Sequence, residues 1–156
     1  MRRHRTILVP LDGSPTGGRG LRQAIALAKA GRTRLVLLHV ADESAAYLDF
    51  ESAPSADLAR ALVREGRRIL ERARSLAGRH GAAARTSLRE IAGESVAEEI
   101  VRQAKRLHCD LIVMGTHARR RAGRRLPGRR GARVMRGSPV PVLLVPQRRN
   151  RGKARR

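Results

Sequence analysis

Four short runs of almost unbroken aliphatic residues constrain this chain more than anything else in it: TILVPL (Thr6 to Leu11), RLVLLHV (Arg34 to Val40), DLIVMG (Asp110 to Gly115) and VPVLLVP (Val140 to Pro146). A strand with one face in water alternates apolar and polar residues; a strand apolar at every position is buried on both faces, as in parallel sheets sandwiched between helices. Between these runs the periodicity changes to that of helices. Leu21, Ala24, Ile25 and Ala28 fall at i, i+3, i+4 and i+7 within Gly17 to Ala30, after Ser14 in a capping position and Pro15 at the first helical position, and Gly31 is expected to stop the helix. Leu58, Leu62, Ile69, Ala73 and Leu76 mark a long helix over Ser55 to Arg79, in which Gly66 is a weak point worth about 1 kcal/mol against Ala. Val96, Ile100, Val101, Ala104 and Leu107 mark a third, opened by a capping box at Ser95-Val-Ala-Glu98.

Ala41 to Pro54 reads as a loop, Ala82 to Leu88 as a poorly alternating strand near an edge, and Gly128 to Arg136 as a short helix. Five strands alternating with about four helices therefore define an α/β fold, a parallel sheet with helices on both faces and right-handed crossovers. Ligands bind such sheets beyond the C-terminal strand ends, where strand order reverses. Asp12, Val40 and the stretch after Gly115 share that rim.

With 156 residues, the chain has the size of one domain, expected over residues 1–147. Its charge is unusual: 35 basic against 13 acidic residues, a net +22. Every acid lies at or before Asp110, whereas residues 111–156 carry fifteen Arg or Lys. Two clusters result, one from Arg119 to Arg133 and one in residues 148–156, a basic tail expected to lack fixed structure. The tail reads as a solvated end or as a nonspecific contact to nucleic acid or another polyanion. With Tyr47 and Phe50 the only aromatics, stacking platforms for bases are excluded.

Other chemistries recede for want of their residues. No GxxxxGK[ST] loop and no GxGxxG after the first strand is present, and no GxSxG elbow. The five histidines show no metal-ligand spacing, and Cys109 reads as a small core residue. The apolar run after the basic start MRRHR is cut off by Asp12, too early for a signal or membrane segment, so no membrane partner and a cytoplasmic protein are expected.

The pieces ILVPLDGS, LLHVAD, GESVAEEIVRQAK, and DLIVMGTHAR followed by GARVMRGSPVPVLLV together resemble the universal stress protein family over about residues 4–146. The resemblance implies an adenine nucleotide alpha-hydrolase-like sandwich, a five-stranded parallel sheet of order 3-2-1-4-5, and a homodimer through the last strand, Val140 to Val145. It also implies an ATP site with a G-x2-G-x9-G-[ST] pattern. Here the pattern falls on Gly115, Ala118, Gly128 and Arg129, so two of its four elements match. By the same resemblance Asp12 would meet the adenosine end, Val40 would offer main-chain bonds to the adenine, Met114 would line the pocket, and Pro10 is a further expected ligand-binding position. Ala118 adds a methyl where backbone should approach phosphate closely, costing roughly 1 to 2 kcal/mol if the position is left-handed. Arg129 removes a hydroxyl but brings a guanidinium, with Arg130 beside it, that either clamps the phosphates or fills the pocket. The residue-level alternatives remain: Gly115 as a strand end, Gly128 as a helix start, Asp12 as a turn residue, the arginines as a solvated loop.

The expected function is a regulatory adenine-nucleotide binder of the stress response, not an enzyme beyond at most slow ATP hydrolysis. The alternatives are a homodimer that binds no nucleotide and acts through partners, or an arginine-rich polyanion binder.

Overall fold

The computed structural model describes residues 5–44, 56–117, 119–121 and 124–147; the expectations placed on Ala118, on the loop residues 45–54 and on the tail lie outside these. A five-stranded parallel sheet forms the centre, built from β1 (Thr6–Pro10), β2 (Arg34–Asp42), β3 (Ala84–Ile91), β4 (Leu111–Thr116) and β7 (Val142–Pro146) in the order β3-β2-β1-β4-β7. Counting only these strands, that is 3-2-1-4-5. The expected strand 82–88 is β3, and it does lie at an edge.

Period-two alternation divides the sheet's side chains between two cores. Ile7, Val9, Leu35, Leu37, Leu111 and Val113 pack with Leu21, Ala24, Ile25 and Ala28 of α1 (Pro15–Gly31) and Leu70, Ala73 and Ala77 of α2 (Ala56–Arg79). Their neighbours Leu8, Val36, Leu38, Ile112 and Met114 face Ala97, Ile100 and Ala104 of α3 (Val96–Arg106) and Val134 of α4 (Arg129–Gly137). Residue-by-residue apolarity in β1, β2 and β4 is thus the requirement of two cores at once. Asp110 ties the N-terminal edge together, its carboxylate accepting the Arg5 amide at 2.7 Å and the Thr6 amide at 3.3 Å.

Several local expectations are corrected. Arg119–Arg121 (β5) and Arg124–Leu126 (β6) pair antiparallel as a small ribbon inside the arginine-rich segment. Arginine-rich strands carry no apolar alternation, so only the pairing reveals them. Ser95 does occupy the N-cap of α3 but makes no side-chain cap hydrogen bond, so no capping box forms. Glu99, one position beyond the expected partner, is instead 1% exposed and pairs with Arg89, Arg102 and Gln103. Gly31 is the last helical residue of α1, and Arg32 takes the left-handed cap at φ 53°. β2 runs two residues past Val40, to Asp42.

Gly66 also changes meaning. A Cβ there would lie 2.5 Å from the His39 ring and 2.8 Å from Leu88, so the missing side chain is what lets α2 seat against β2 and β3.

Candidate functional site

β1 stops before its neighbours do, and the site grows from that ending. The Leu11 amide makes the last bond across to β2, donating to the Leu38 carbonyl at 2.8 Å. The chain then turns at Asp12, whose Oδ1 accepts the Ser14 amide at 2.9 Å, through Gly13 at φ 81° into α1. Ser14 caps α1 as expected, its Oγ accepting the Gly17 amide at 3.1 Å. His39 holds the turn from beneath by donating from Nδ1 to the Leu11 carbonyl at 2.7 Å. In a parallel strand the N–H and C=O of one residue face the same neighbour and alternate along the strand. Leu38 faces β1, so Val40 faces that side too, beyond the point where β1 has turned away.

The opposite wall begins at β4. Its end lies against α1 so closely that a Cβ on Gly115 would sit 2.0 Å from the Thr16 carbonyl oxygen, and one on Gly20 would sit 2.5 Å from the Gly115 nitrogen. Thr116 is buried; its Oγ1 accepts the Gly128 amide at 3.1 Å and so fastens the start of α4 to the end of β4. Gly128 is the N-cap of α4, at φ −60°, with its own approach to the His117 carbonyl closed to a Cβ at 2.9 Å. The first α4 hydrogen bond runs from the Ala132 amide to the Gly128 carbonyl at 2.9 Å. The amides of Arg129, Arg130 and Gly131 precede it, the positive end of the helix dipole.

These walls enclose one cleft of about 510 Å³, within the range of small-molecule sites. Pro10, Asp12, Val40, Met114, Gly115, Gly128, Arg129 and Arg130 all line it, three strand ends and one helix start converging as their positions in the sequence required. Ala118 is outside the described residues. Val96 and Ile100 of α3, with Leu38, supply apolar surface. Thr16, Gly17 and Gly131 line the cleft too and were not foreseen, whereas Thr116 and His117, which also line it, belong to the stretch after Gly115 expected on this rim. His117 Nδ1 lies 3.4 Å from the Thr16 hydroxyl.

Across the mouth Arg130 Nη1 stands 3.7 Å from Asp12 Oδ2. Burial pushes the Asp12 carboxyl up, but hydrogen bonds from the Ser14 hydroxyl and amide and the Arg130 charge more than offset this, so its pKa lies below the ordinary carboxylate value. Asp12 is therefore ionised at neutral pH. Cys109 lies outside the cleft, buried at the base of β4, where burial pushes its thiol up to about 11. Among the described residues no group of three or more His, Cys, Asp or Glu side chains is placed to hold a metal ion, and no helix is long and apolar enough to cross a membrane.

Sheet order and cleft together define a doubly wound α/β protein with a crevice where the strand order reverses, between β1 and β4. The model of the universal stress protein family matches residues 3–146, and the chain belongs to that family. A universal stress protein of Methanocaldococcus jannaschii is 30% identical over 143 residues, covering 91% of this chain and 82% of the relative. A solved structure from the family in Burkholderia pseudomallei is 35% identical with a TM-score of 0.75, covering 91% of this chain and 96% of that one. A universal stress protein solved in complex with cAMP is 26% identical with a TM-score of 0.65, covering 92% of this chain and 98% of that one.

Proposed function

We propose that this chain is a regulatory protein of the stress response that takes an adenine nucleotide, ATP or a close relative, in the cleft. The observation that carries the reading is the convergence of the β1, β2 and β4 ends on the start of α4 around one cavity of about 510 Å³. Val40 turns main-chain donor and acceptor toward a space that β1 has vacated, which suits the edge of an adenine. Pro10 and Met114 flank it with apolar surface. Asp12, ionised, would accept hydrogen bonds from ribose hydroxyls. Gly128 and the α4 amides, with Arg129 and Arg130, would meet the phosphates through the helix dipole and two guanidinium groups. Gly115 acts in this reading by letting α1 and β4 close up, and Ala118 remains the position where the phosphate loop carries an extra methyl.

Support also comes from the relative whose structure contains cAMP. The ligand serves here as an effector and not as a substrate, in a cytoplasmic protein. Isothermal titration with ATP, AMP and cAMP tests the reading; heat of binding in the micromolar to low millimolar range is expected, and its absence for all three at millimolar ligand overturns it.

One observation favours a second reading. With Ala118 and Arg129 replacing the glycine and hydroxyl of the phosphate pattern, the chain would be a homodimer that binds no nucleotide and acts through partners. Dimerisation belongs to both readings: β7 is an edge strand on which Leu143 is 37% exposed, and an open apolar edge invites a second chain.

A further inference from the structure

The cleft does not end at Arg129 and Arg130. Both residues, with Asp42 and Val96, also border a second hollow of about 740 Å³ between α3 and α4. That hollow shares Ala97, Arg133 and Arg136 with a third, of about 510 Å³, which runs on beside Arg102 and Lys105. One groove thus leads from the phosphate end of the cleft along the whole exposed side of α4.

Its lining carries a row of cations. Arg129, Arg133 and Arg136 fall at i, i+4 and i+7, so they occupy one face of α4 and all three are exposed. At a rise of 1.5 Å per residue the row spans about 10 Å, roughly one guanidinium every 5 Å. Lys105 faces it from α3, as does Arg102, whose charge is partly taken by buried Glu99. Asp42, Glu94 and Glu98 also border the groove and leave it with a positive balance. Among the described residues, none that lines it is aromatic.

A single nucleotide would use only the first of these cations. We infer that the groove receives the backbone of a single-stranded nucleic acid whose 3′-terminal adenylate occupies the cleft. The inference rests on the adenine-nucleotide reading of the cleft, and the orientation follows from it: the 5′-phosphate at the start of α4 is the group that links a 3′-terminal adenosine to the rest of its strand. Successive phosphates then meet Arg129, Arg133 and Arg136. A cation spacing wider than the 3.4 Å per phosphate of a stacked strand suits an extended backbone. With no aromatic among the described lining residues to stack on, the bases beyond the first would stay in solvent, and recognition would be of adenine once and of phosphate thereafter.

The experiment compares AMP, the ribohexamers UUUUUA and UUUUUU, and diadenosine tetraphosphate on the full chain and on the exposed double variant Arg133→Gln, Arg136→Gln. UUUUUA is expected to bind about tenfold more tightly than AMP or UUUUUU, to be displaced by AMP, and to lose affinity with salt at a log–log slope of about −2, as for three phosphate contacts on a single strand. The double variant is expected to lose that tenfold advantage while binding AMP as before, which also shows that it is folded. Equal binding of the two hexamers, a hexamer advantage untouched in the double variant, or an advantage seen only with diadenosine tetraphosphate overturns the inference. Failure of AMP to bind overturns this inference, and with failure of ATP and cAMP as well the cleft reading falls too; AMP binding without any hexamer advantage overturns this one alone.

Discussion

The two walls of the cleft are built on opposite principles. On the α1 side, the backbone of β4 and the backbone of α1 touch, and Gly115 and Gly20 leave no room for a single carbon between them. On the α4 side, the helix start is pinned by one hydrogen bond from Gly128 to Thr116, and what faces the cavity is exposed arginine. The first wall is therefore closed by backbone contact, while the second, though its helix is anchored in the core by Val134, turns exposed charge toward the cleft. Substitutions should separate accordingly: stability is expected to respond on one side and binding on the other.

The largest effect is expected for Gly115→Ala. Its Cβ would fall 2.0 Å from the Thr16 oxygen, so helix and strand must part, an overpacking that should cost about 3 kcal/mol. Urea denaturation measures this; a loss under about 1 kcal/mol would mean the walls separate easily and would end the contrast.

A smaller effect, and in the other observable, is expected for Arg129→Gln and Arg130→Gln. Both side chains are exposed, and the Arg130 pair with Asp12 is half in solvent at 3.7 Å, so stability should change by no more than about 1 kcal/mol. ATP affinity should fall about tenfold for each, the value of one charge-assisted phosphate contact, with AMP affected less. If Arg129→Gln instead raises ATP affinity, the guanidinium occupies the ligand's place.

The smallest effect is a pH dependence that should be nearly absent. Asp12 stands between the walls with its pKa held below the ordinary value, so its charge is retained as pH falls from 8 and is lost only below about 4, the usual carboxylate value. Affinity for cAMP, whose phosphodiester keeps a single charge across this range, should accordingly stay level from pH 8 to pH 5, and Asp12→Asn should weaken it by a similar factor throughout. Affinity that falls off near pH 6 would assign the dependence to a group other than Asp12.

The reach of the sequence follows the same division. Strands β1, β2 and β4 and the stripes of α1 and α3 were legible because a strand between two cores must be apolar at every position, and a helix on one core must be apolar every third or fourth; β7 was legible from its apolar run, although it is an edge strand with Leu143 partly exposed. Asp12, Val40 and the stretch after Gly115 could be placed on one rim because each follows or ends a segment of that kind, while Met114 and Gly128 came only from the resemblance to the family. The β5–β6 ribbon could not, since a pair of arginine strands resembles a charged loop. Nor could the true work of Gly66, which looks like a helix defect until the His39 ring is seen against it.

Periodicity and turn residues, which act within about ten neighbours, thus determined that a parallel sheet would form here and which strand ends would be left bare. Only the tertiary structure decided that Gly115 meets Thr16, that Arg130 reaches Asp12, and that Arg133 and Arg136 continue the line of the cleft. Those contacts join residues up to 118 positions apart. Their distances depend on how helices settle onto a finished sheet, and no local pattern in the chain records that.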